Sequence, residues 1–441
     1  MKILLVKCHK KTIFSKIEPI VTEPLELEYL SALLENLEIQ HRVYDGLLEK
    51  GSFRAVFEAY EPDVLLLTGY ITAVGKIIAY SQYAKKSHRQ IKVIVGGVHA
   101  EINYEDFFVD TIDIIVHSNG LSTLNELLQH DFHLEIMRGL KGIALRHGDQ
   151  WTVNESVPTA LTQMPLPNRD YFEKHQHRTK YMSYSPVAIV KTALSCPHGC
   201  HFCYCKLLNT GLYATREINE VVEEISGIGA PYIWIVDDSF LLDRQRTRQF
   251  IEAIKISGIR KKFIAYSRVD FVVNNEDILQ QLKEIGFIEL IIGMEAVDDS
   301  MLKDFNKAAT VDENSRTVTL LKKYDIKLTA LFIVGIDFKV GDFKKMRHWI
   351  RRRKLQSFTV SIFTPMKGTQ GYGDYEEKIQ ETDFSKFDFL HLTMKPYYMS
   401  KFSFYIQFYL IYGQLFFQSK SVRQYLFKNL KHILKPGGYH E

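Results

Sequence analysis

The stretch Val187-Ala-Ile-Val-Lys-Thr-Ala-Leu194-Ser-Cys196-Pro-His-Gly-Cys200-His-Phe-Cys203 decides the reading of this chain. Its first eight residues are apolar and β-branched enough to predict a buried strand. Three thiols follow at a four-then-three spacing, directly off the end of that strand. A loop of this length can wrap three corners of a cubane iron–sulfur cluster and leave one iron open, whereas an electron-carrying ferredoxin closes all four. An open iron implies chemistry at the metal. Zinc is the competing ion, with His198 and His201 placed to complete a site, although structural zinc usually draws on two separated ligand pairs. Cys205 is a spare thiol: a buried or channel-lining group, or a fourth ligand.

Downstream, β-rich runs at 232–236, 263–267, 288–293, 328–334 and 358–364 continue the pattern begun at 187–194. Helical spacing falls between them near 217–226, 244–257, 276–285, 312–323 and 342–353. Six such units predict a partial barrel, whose chemistry sits at the carboxyl ends of its strands. Upstream, strands are expected at 2–7, 41–45, 63–69, 92–96 and 112–117, with helices at 24–37, 53–60, 74–88 and 121–130. Apolar strands alternating with helices imply a parallel sheet covered on both faces. Five of them suit a doubly wound, flavodoxin-like (Rossmann-type) α/β domain with its ligand beyond the strands' carboxyl ends. Gly96-Gly97-Val98-His99 follows the fourth strand at that edge. Pro158, Pro165 and Pro167 mark a connector. The expected division is a domain at 1–150, a linker at 151–185, a barrel at 186–370 and an extension at 371–441.

Of 441 residues 46% are hydrophobic and 24% charged, which excludes a largely disordered chain. A net charge of only +4 provides no global basic field for nucleic acid. The basic run Lys344–Lys354 reads as a solvated helix face. Four of the five cysteines crowd into ten residues, the pattern of a metal or cofactor site in a reducing compartment rather than of a disulfide framework. With no secretory signal in the opening residues, the cytoplasm is the expected location.

The extension reads differently from both domains. Residues 402–419 carry no charge, and Ser403, Gln407, Gln414, Gln418 and Ser421 fall within a stripe about 60° wide on a helix. The first expectation is a helix packed across the barrel with that stripe outward. The alternatives are an interfacial segment, aromatic face in lipid and basic flank on anionic headgroups, or a lining for a greasy substrate.

Cys196, Cys200 and Cys203, with Phe202 before the last, resemble the CxxxCxxC signature of the radical S-adenosylmethionine (SAM) family. Ile235-Val-Asp-Asp-Ser-Phe240, Ser267-Arg-Val-Asp270, Gly293-Met-Glu-Ala296 and Phe332-Ile-Val-Gly335 fall in family order at the ends of strands two to five. Thr364-Pro-Met-Lys-Gly-Thr369 resembles its closing motif. Together with the flavodoxin-like domain and the connector Pro165-Leu-Pro-Asn-Arg-Asp170, the layout over roughly 1–370 is similar to cobalamin-binding-domain radical SAM enzymes of the class B methyltransferase type. Two motifs depart from that pattern. Asp45 is followed by Gly46 and Leu47, without the D-x-H-x-x-G histidine, and Ser118-Asn-Gly-Leu121 stands in place of G-E-G-E.

The resemblance implies a [4Fe–4S] cluster on Cys196, Cys200 and Cys203, with SAM chelating the open iron and yielding a 5′-deoxyadenosyl radical. It implies SAM contacts from Asp237, Asp238 and Glu295, with Lys307, Arg316 or Arg268 near the carboxylate. A cobalamin would sit between the domains on a rim of Thr68, Gly69, Tyr70, Gly96, Gly97 and His99. The implied activity is C-methylation of an unactivated carbon through methylcobalamin. The alternatives are a non-methylating cyclisation, rearrangement or coupling of a lipid-like or natural-product skeleton, and a redox sensor without catalysis. The expected partners are a small, apolar substrate and an electron donor such as a flavodoxin or ferredoxin, with no nucleic acid. Peripheral membrane contact through 396–441 stays open, and no acid–base catalyst is assigned.

Overall fold

A computed structural model describes residues 1–10, 18–161, 164–419, 423 and 427. In its first sheet β1 (Lys2–Lys7), β2 (Gln40–Asp45), β3 (Val64–Thr68), β4 (Lys92–Gly96) and β5 (Ile114–Val116) run parallel in the order β2-β1-β3-β4-β5. The continuous apolar runs are explained by burial on both faces. Leu4, Val6, Leu65, Leu67, Val93 and Val95 feed one core, and their neighbours Ile3, Leu5, Val64, Leu66 and Ile94 feed the other. The strand order reverses between β1 and β3, so a crevice opens there beyond the carboxyl ends.

Two antiparallel strands missing from the sequence reading, β6 (Ile143–His147) and β7 (Gln150–Val153), extend this sheet three residues past the expected boundary at 150. Their mixed composition hid them. Arg146, His147, Gln150 and Thr152 are half-buried or exposed at the sheet's edge, so no apolar run marks the pair.

The second sheet holds β8 (Val187–Val190), β9 (Tyr232–Ile235), β10 (Lys262–Ser267), β11 (Phe287–Glu295), β12 (Lys327–Val334) and β13 (Phe358–Ile362), all parallel and in chain order. The first strand ends four residues earlier than expected. Asp237 accepts hydrogen bonds from the Thr192 N–H at 2.6 Å and the Ala193 N–H at 3.0 Å, which draws the chain out of the sheet. Ala193–Leu194 then pairs antiparallel with Ala214–Thr215. Helices close the outer face. The one at Val311–Lys323 starts on a capping box between Thr310 and Glu313, and the one at Arg244–Ser257 runs from the Asp243 cap to left-handed Gly258. Short helices at Val269–Asn274 and Asp299–Asp304 are too brief to show helical periodicity in the sequence.

A buried charge cluster joins the two halves. Arg169, from the Pro-containing connector, reaches Glu23 at 2.9 Å, Glu224 at 2.6 Å and Glu28 at 3.6 Å. Glu23 also accepts from the Ile189 N–H of β8 at 2.7 Å. Arg216 completes the cluster on Glu224 and donates to the Tyr29 hydroxyl at 3.1 Å. Five ionisable groups buried together cost desolvation, and their mutual pairing offsets it. The arrangement therefore fixes one docking of the N-terminal domain on the barrel.

The C-terminal helix, Lys401–Gln418, is capped by Ser400 and buries Phe404, Phe408 and Ile411 in the barrel core. Its polar stripe does not face outward as expected. Arg347 donates to Gln407 Oε1 at 3.1 Å, and Gln414 Nε2 donates to the Arg347 carbonyl at 3.0 Å. The stripe is turned toward the helix at Val340–Arg352, because an arginine there supplies partners for both glutamines. Ser421 lies outside the described residues.

Candidate active site

The cluster loop leaves the barrel after Leu194 and is held from three sides. Asn306 Nδ2 donates to the Gly199 carbonyl at 2.7 Å, His201 N–H to the Phe305 carbonyl at 3.1 Å, and Gly371 N–H to the His201 carbonyl at 2.9 Å. His201 Nε2 stands 2.6 Å from Asp374, so this ring is already committed away from the thiols. Cys196, Cys200 and Cys203 are each half-buried, and burial followed by the charges of Cys203, Asp238 and Cys200 raises the Cys196 thiol. Cys205 hydrogen-bonds to Cys203, which raises the Cys205 thiol and lowers that of Cys203. Among the described residues no three His, Cys, Asp or Glu groups converge on a single ion. Three thiols ranged round one loop fit the corners of a polynuclear cluster.

The two adjacent acids after β9 do different work. Asp237 is buried and spends its oxygens on the Thr192 and Ala193 backbone and, at 2.5 Å, on the Thr192 hydroxyl. Burial raises its pKa despite those bonds. Its role in the fold is to shape the entry to the cluster loop. Asp238 faces the cysteines, its Oδ2 making no hydrogen bond but ion-paired with Lys191 Nζ at 3.5 Å. The neighbouring Ser239 hydroxyl and His198 Nε2 are likewise buried without hydrogen-bond partners. Orphaned polar atoms beside an open-iron loop fit a polar ligand such as the amino acid end of SAM.

Arg268 ends β10 with Nε 3.1 Å from Asp270 and Nη1 3.9 Å from Cys200 Sγ. Glu295, at the end of β11 with φ of 59°, pairs with Lys307 at 2.9 Å. The structure thus brings Asp238, Arg268, Glu295 and Lys307 around the cysteines' strand ends. Arg316 does not join them. It is exposed on the outer helix, where its charge falls on Glu276.

On the facing domain, Thr68, Gly69 and Tyr70 end β3, and Gly96, Gly97 and His99 end β4. Gly97 has φ of 98°, and a Cβ there would lie 2.2 Å from Thr68 Oγ1. Only glycine lets these two strand ends touch. Tyr70 and His99 line a cavity of about 280 Å³ with Tyr204, Met366 and Phe387 from the barrel side. His99 is buried, 2.9 Å from Asp106, and Asp106 ties the domains together by meeting Lys367 at 3.4 Å. Glu101 makes a second tie by accepting from the Asn209 N–H just after the cluster loop. Sequence reasoning missed Glu101, Asn209 and Lys191, which carry no motif and become partners only through the docking. A glycine-lined strand edge facing the thiols is a shape that fits a flat corrin between the domains.

Family models agree with this geometry: one for the radical SAM superfamily matches residues 190–350, and one for a B12 binding domain matches residues 16–128. An uncharacterized methyltransferase of Pyrococcus horikoshii is 26% identical over 84% of this chain and 82% of its own. The hopanoid C-3 methylase of Methylococcus capsulatus is 24% identical over 84% of this chain and 72% of its own. The anaerobic magnesium-protoporphyrin IX monomethyl ester cyclase of Cereibacter sphaeroides is 26% identical, covering 76% and 57%. Among solved structures, the fold is similar to the cobalamin-dependent SAM radical enzyme OxsB, with a TM-score of 0.67 and 16% identity. That match takes in 98% of this chain, which spans 62% of the length of OxsB. The radical SAM methyltransferase TsrM of Kitasatospora setae gives 0.69 at 15% identity, covering 85% and 78%. The cysteine loop on a partial barrel and the doubly wound domain facing it thus have one explanation: residues 190–350 belong to the radical SAM superfamily and residues 16–128 to the B12 binding domains, with a [4Fe–4S] cluster, SAM and cobalamin as the cofactors.

Proposed function

We propose that this enzyme is a C-methyltransferase that modifies an unactivated carbon of an apolar small molecule. The observation that carries the reading is the facing of two edges: the glycine-lined ends of β3 and β4 meet the cysteine-bearing ends of the barrel across one cleft. The cofactors when bound supply a radical able to take a hydrogen atom and a cobalt-carried methyl group. This chain's residues bind, orient and exclude water. Asp238, ion-paired with Lys191, offers its carboxylate to a ligand ammonium, and Arg268 and Lys307 offer cations to a carboxylate. Tyr204, Met366 and Phe387 give the cleft an apolar wall, which favours a greasy substrate and keeps a radical from water. A low-potential donor of the flavodoxin or ferredoxin type would reduce the cluster.

Relatives named as a methyltransferase and a methylase support methyl transfer. One relative named as a cyclase supports a second reading, radical ring closure without methylation. Turnover with methyl-labelled SAM separates them. Label in a product other than methionine is expected, whereas 5′-deoxyadenosine formation with all of the released label in methionine would favour the cyclase-type reading.

A further inference from the structure

We propose that the C-terminal helix seats this enzyme on the surface of a membrane containing anionic lipid, through an apolar face that the fold leaves outward. With Phe404, Phe408 and Ile411 in the core and the glutamines turned to Arg347, the remaining arc of the helix is formed by Phe402, Ile406, Tyr409, Leu410, Gly413 and Phe417. At 100° per residue this arc is about 100° wide and holds no polar side chain except the tyrosine hydroxyl. Phe402 is 76% exposed, Tyr409 59% and Phe417 78%. An apolar row of this kind is uncommon on a monomer's surface without a use. Just before the helix, Tyr397 and Tyr398 are exposed as well.

Charge identifies the occupant. From residue 389 to residue 440 the chain has no Asp or Glu, while Lys395, Lys401, Lys420, Arg423, Lys428, Lys431 and Lys435 are all basic. Lys395, ahead of the helix, and Lys401, its first residue, are exposed. The adjoining helix adds exposed Lys344, Arg351 and Arg352, the basic run that no part of the catalytic reading uses. A second copy of this chain would bring one cationic surface against another. An extended anionic surface complements it, and apolar side chains flanked by cations are the composition of helices that lie in a bilayer's interface. No helix among the described residues is long and apolar enough to cross a membrane, so the contact is one of lying on the surface.

The test is flotation of the full-length holoenzyme with vesicles of phosphatidylcholine alone or with phosphatidylglycerol added. Wild type should partition onto the anionic vesicles at least tenfold more than onto neutral ones, and high salt should weaken that preference. The variant Phe402→Ser/Leu410→Ser/Phe417→Ser should lose at least tenfold in partitioning, with thermal melting and cluster absorbance unchanged. Lys395→Gln/Lys401→Gln should reduce the dependence on anionic lipid. Failure of wild type to float with anionic vesicles overturns the proposal. So does a dimer in sedimentation velocity that the triple variant abolishes without any vesicle binding. Flotation that appears only after deletion of residues 424–441 would make the chain's own end the occupant, and also overturns it.

Discussion

Lys307 Nζ stands 2.9 Å from Glu295 Oε1 at the carboxyl end of β11, with both side chains less than a tenth exposed. Gly293 makes the pairing possible, because a Cβ there would lie 2.1 Å from the same Glu295 oxygen and 2.9 Å from Lys307 Nζ. Both atoms are the far ends of flexible side chains, so Gly293→Ala should fold and push the pair apart. The expected result is SAM affinity reduced about tenfold to a hundredfold, the scale of one or two charge-assisted hydrogen bonds. Equilibrium dialysis with the reconstituted enzyme checks it. An unchanged SAM affinity would remove Glu295 and Lys307 from the site.

Cys196, Cys200 and Cys203 carry the cluster in this account, and Cys205 does not. Alanine at any of the three should abolish the visible iron–sulfur absorbance after anaerobic reconstitution. Cys205→Ser should keep both the absorbance and the perturbation of the reduced cluster's paramagnetic signal by SAM. Loss of the cluster in Cys205→Ser would make it the fourth ligand and close the open iron.

Gly97→Ala forces a Cβ to 2.2 Å from Thr68 Oγ1 at a backbone φ of 98°. Destabilisation of about 1–3 kcal/mol is expected from the strain and overpacking. Bound cobalt after reconstitution should fall, while iron content stays near wild type. Adding Thr68→Ala frees the space but not the backbone, so it should restore part of the cobalt.

How much of this was legible in the sequence depended on whether a residue's role was local. The cysteine spacing and the apolar strands are local patterns, and they placed both sheets and the cluster loop. Asp237 and Asp238 read as equivalent strand-end acids, yet one closes on Thr192 and Ala193 while the other turns to Lys191 and the cysteines. Arg316 read as a site cation, but its position on the helix surface turns it outward. The stripe of Gln407 and Gln414 was correct as a period and reversed as a direction, because its partner, Arg347, is sixty residues away in the chain. Arg169 sat unread in the connector because its carboxylate partners come from both domains.

The Arg169 cluster makes stability pH-dependent. Burial pushes the Glu23 carboxyl up from 4.5 to about 7, against the pull of Arg169 and the Ile189 N–H. Between those values the folded chain holds a proton that the unfolded chain has released. Stability from this group is therefore full below about pH 4.5 and declines as pH rises toward 7. Measured against Glu23→Gln, which cannot titrate, wild type should lose ground in urea midpoint across that range. Parallel curves would contradict it.

Methyl transfer is the central claim, and its most direct test needs no knowledge of the substrate. The holoenzyme, reconstituted with iron, sulfide and cobalamin under anaerobic conditions and reduced, is incubated with methyl-labelled SAM, and the protein-bound corrinoid is then isolated. The account predicts label in the corrinoid fraction with matching S-adenosylhomocysteine. A corrinoid fraction free of label, alongside 5′-deoxyadenosine and methionine, would contradict methyl transfer and leave the radical ring-closing reading in its place.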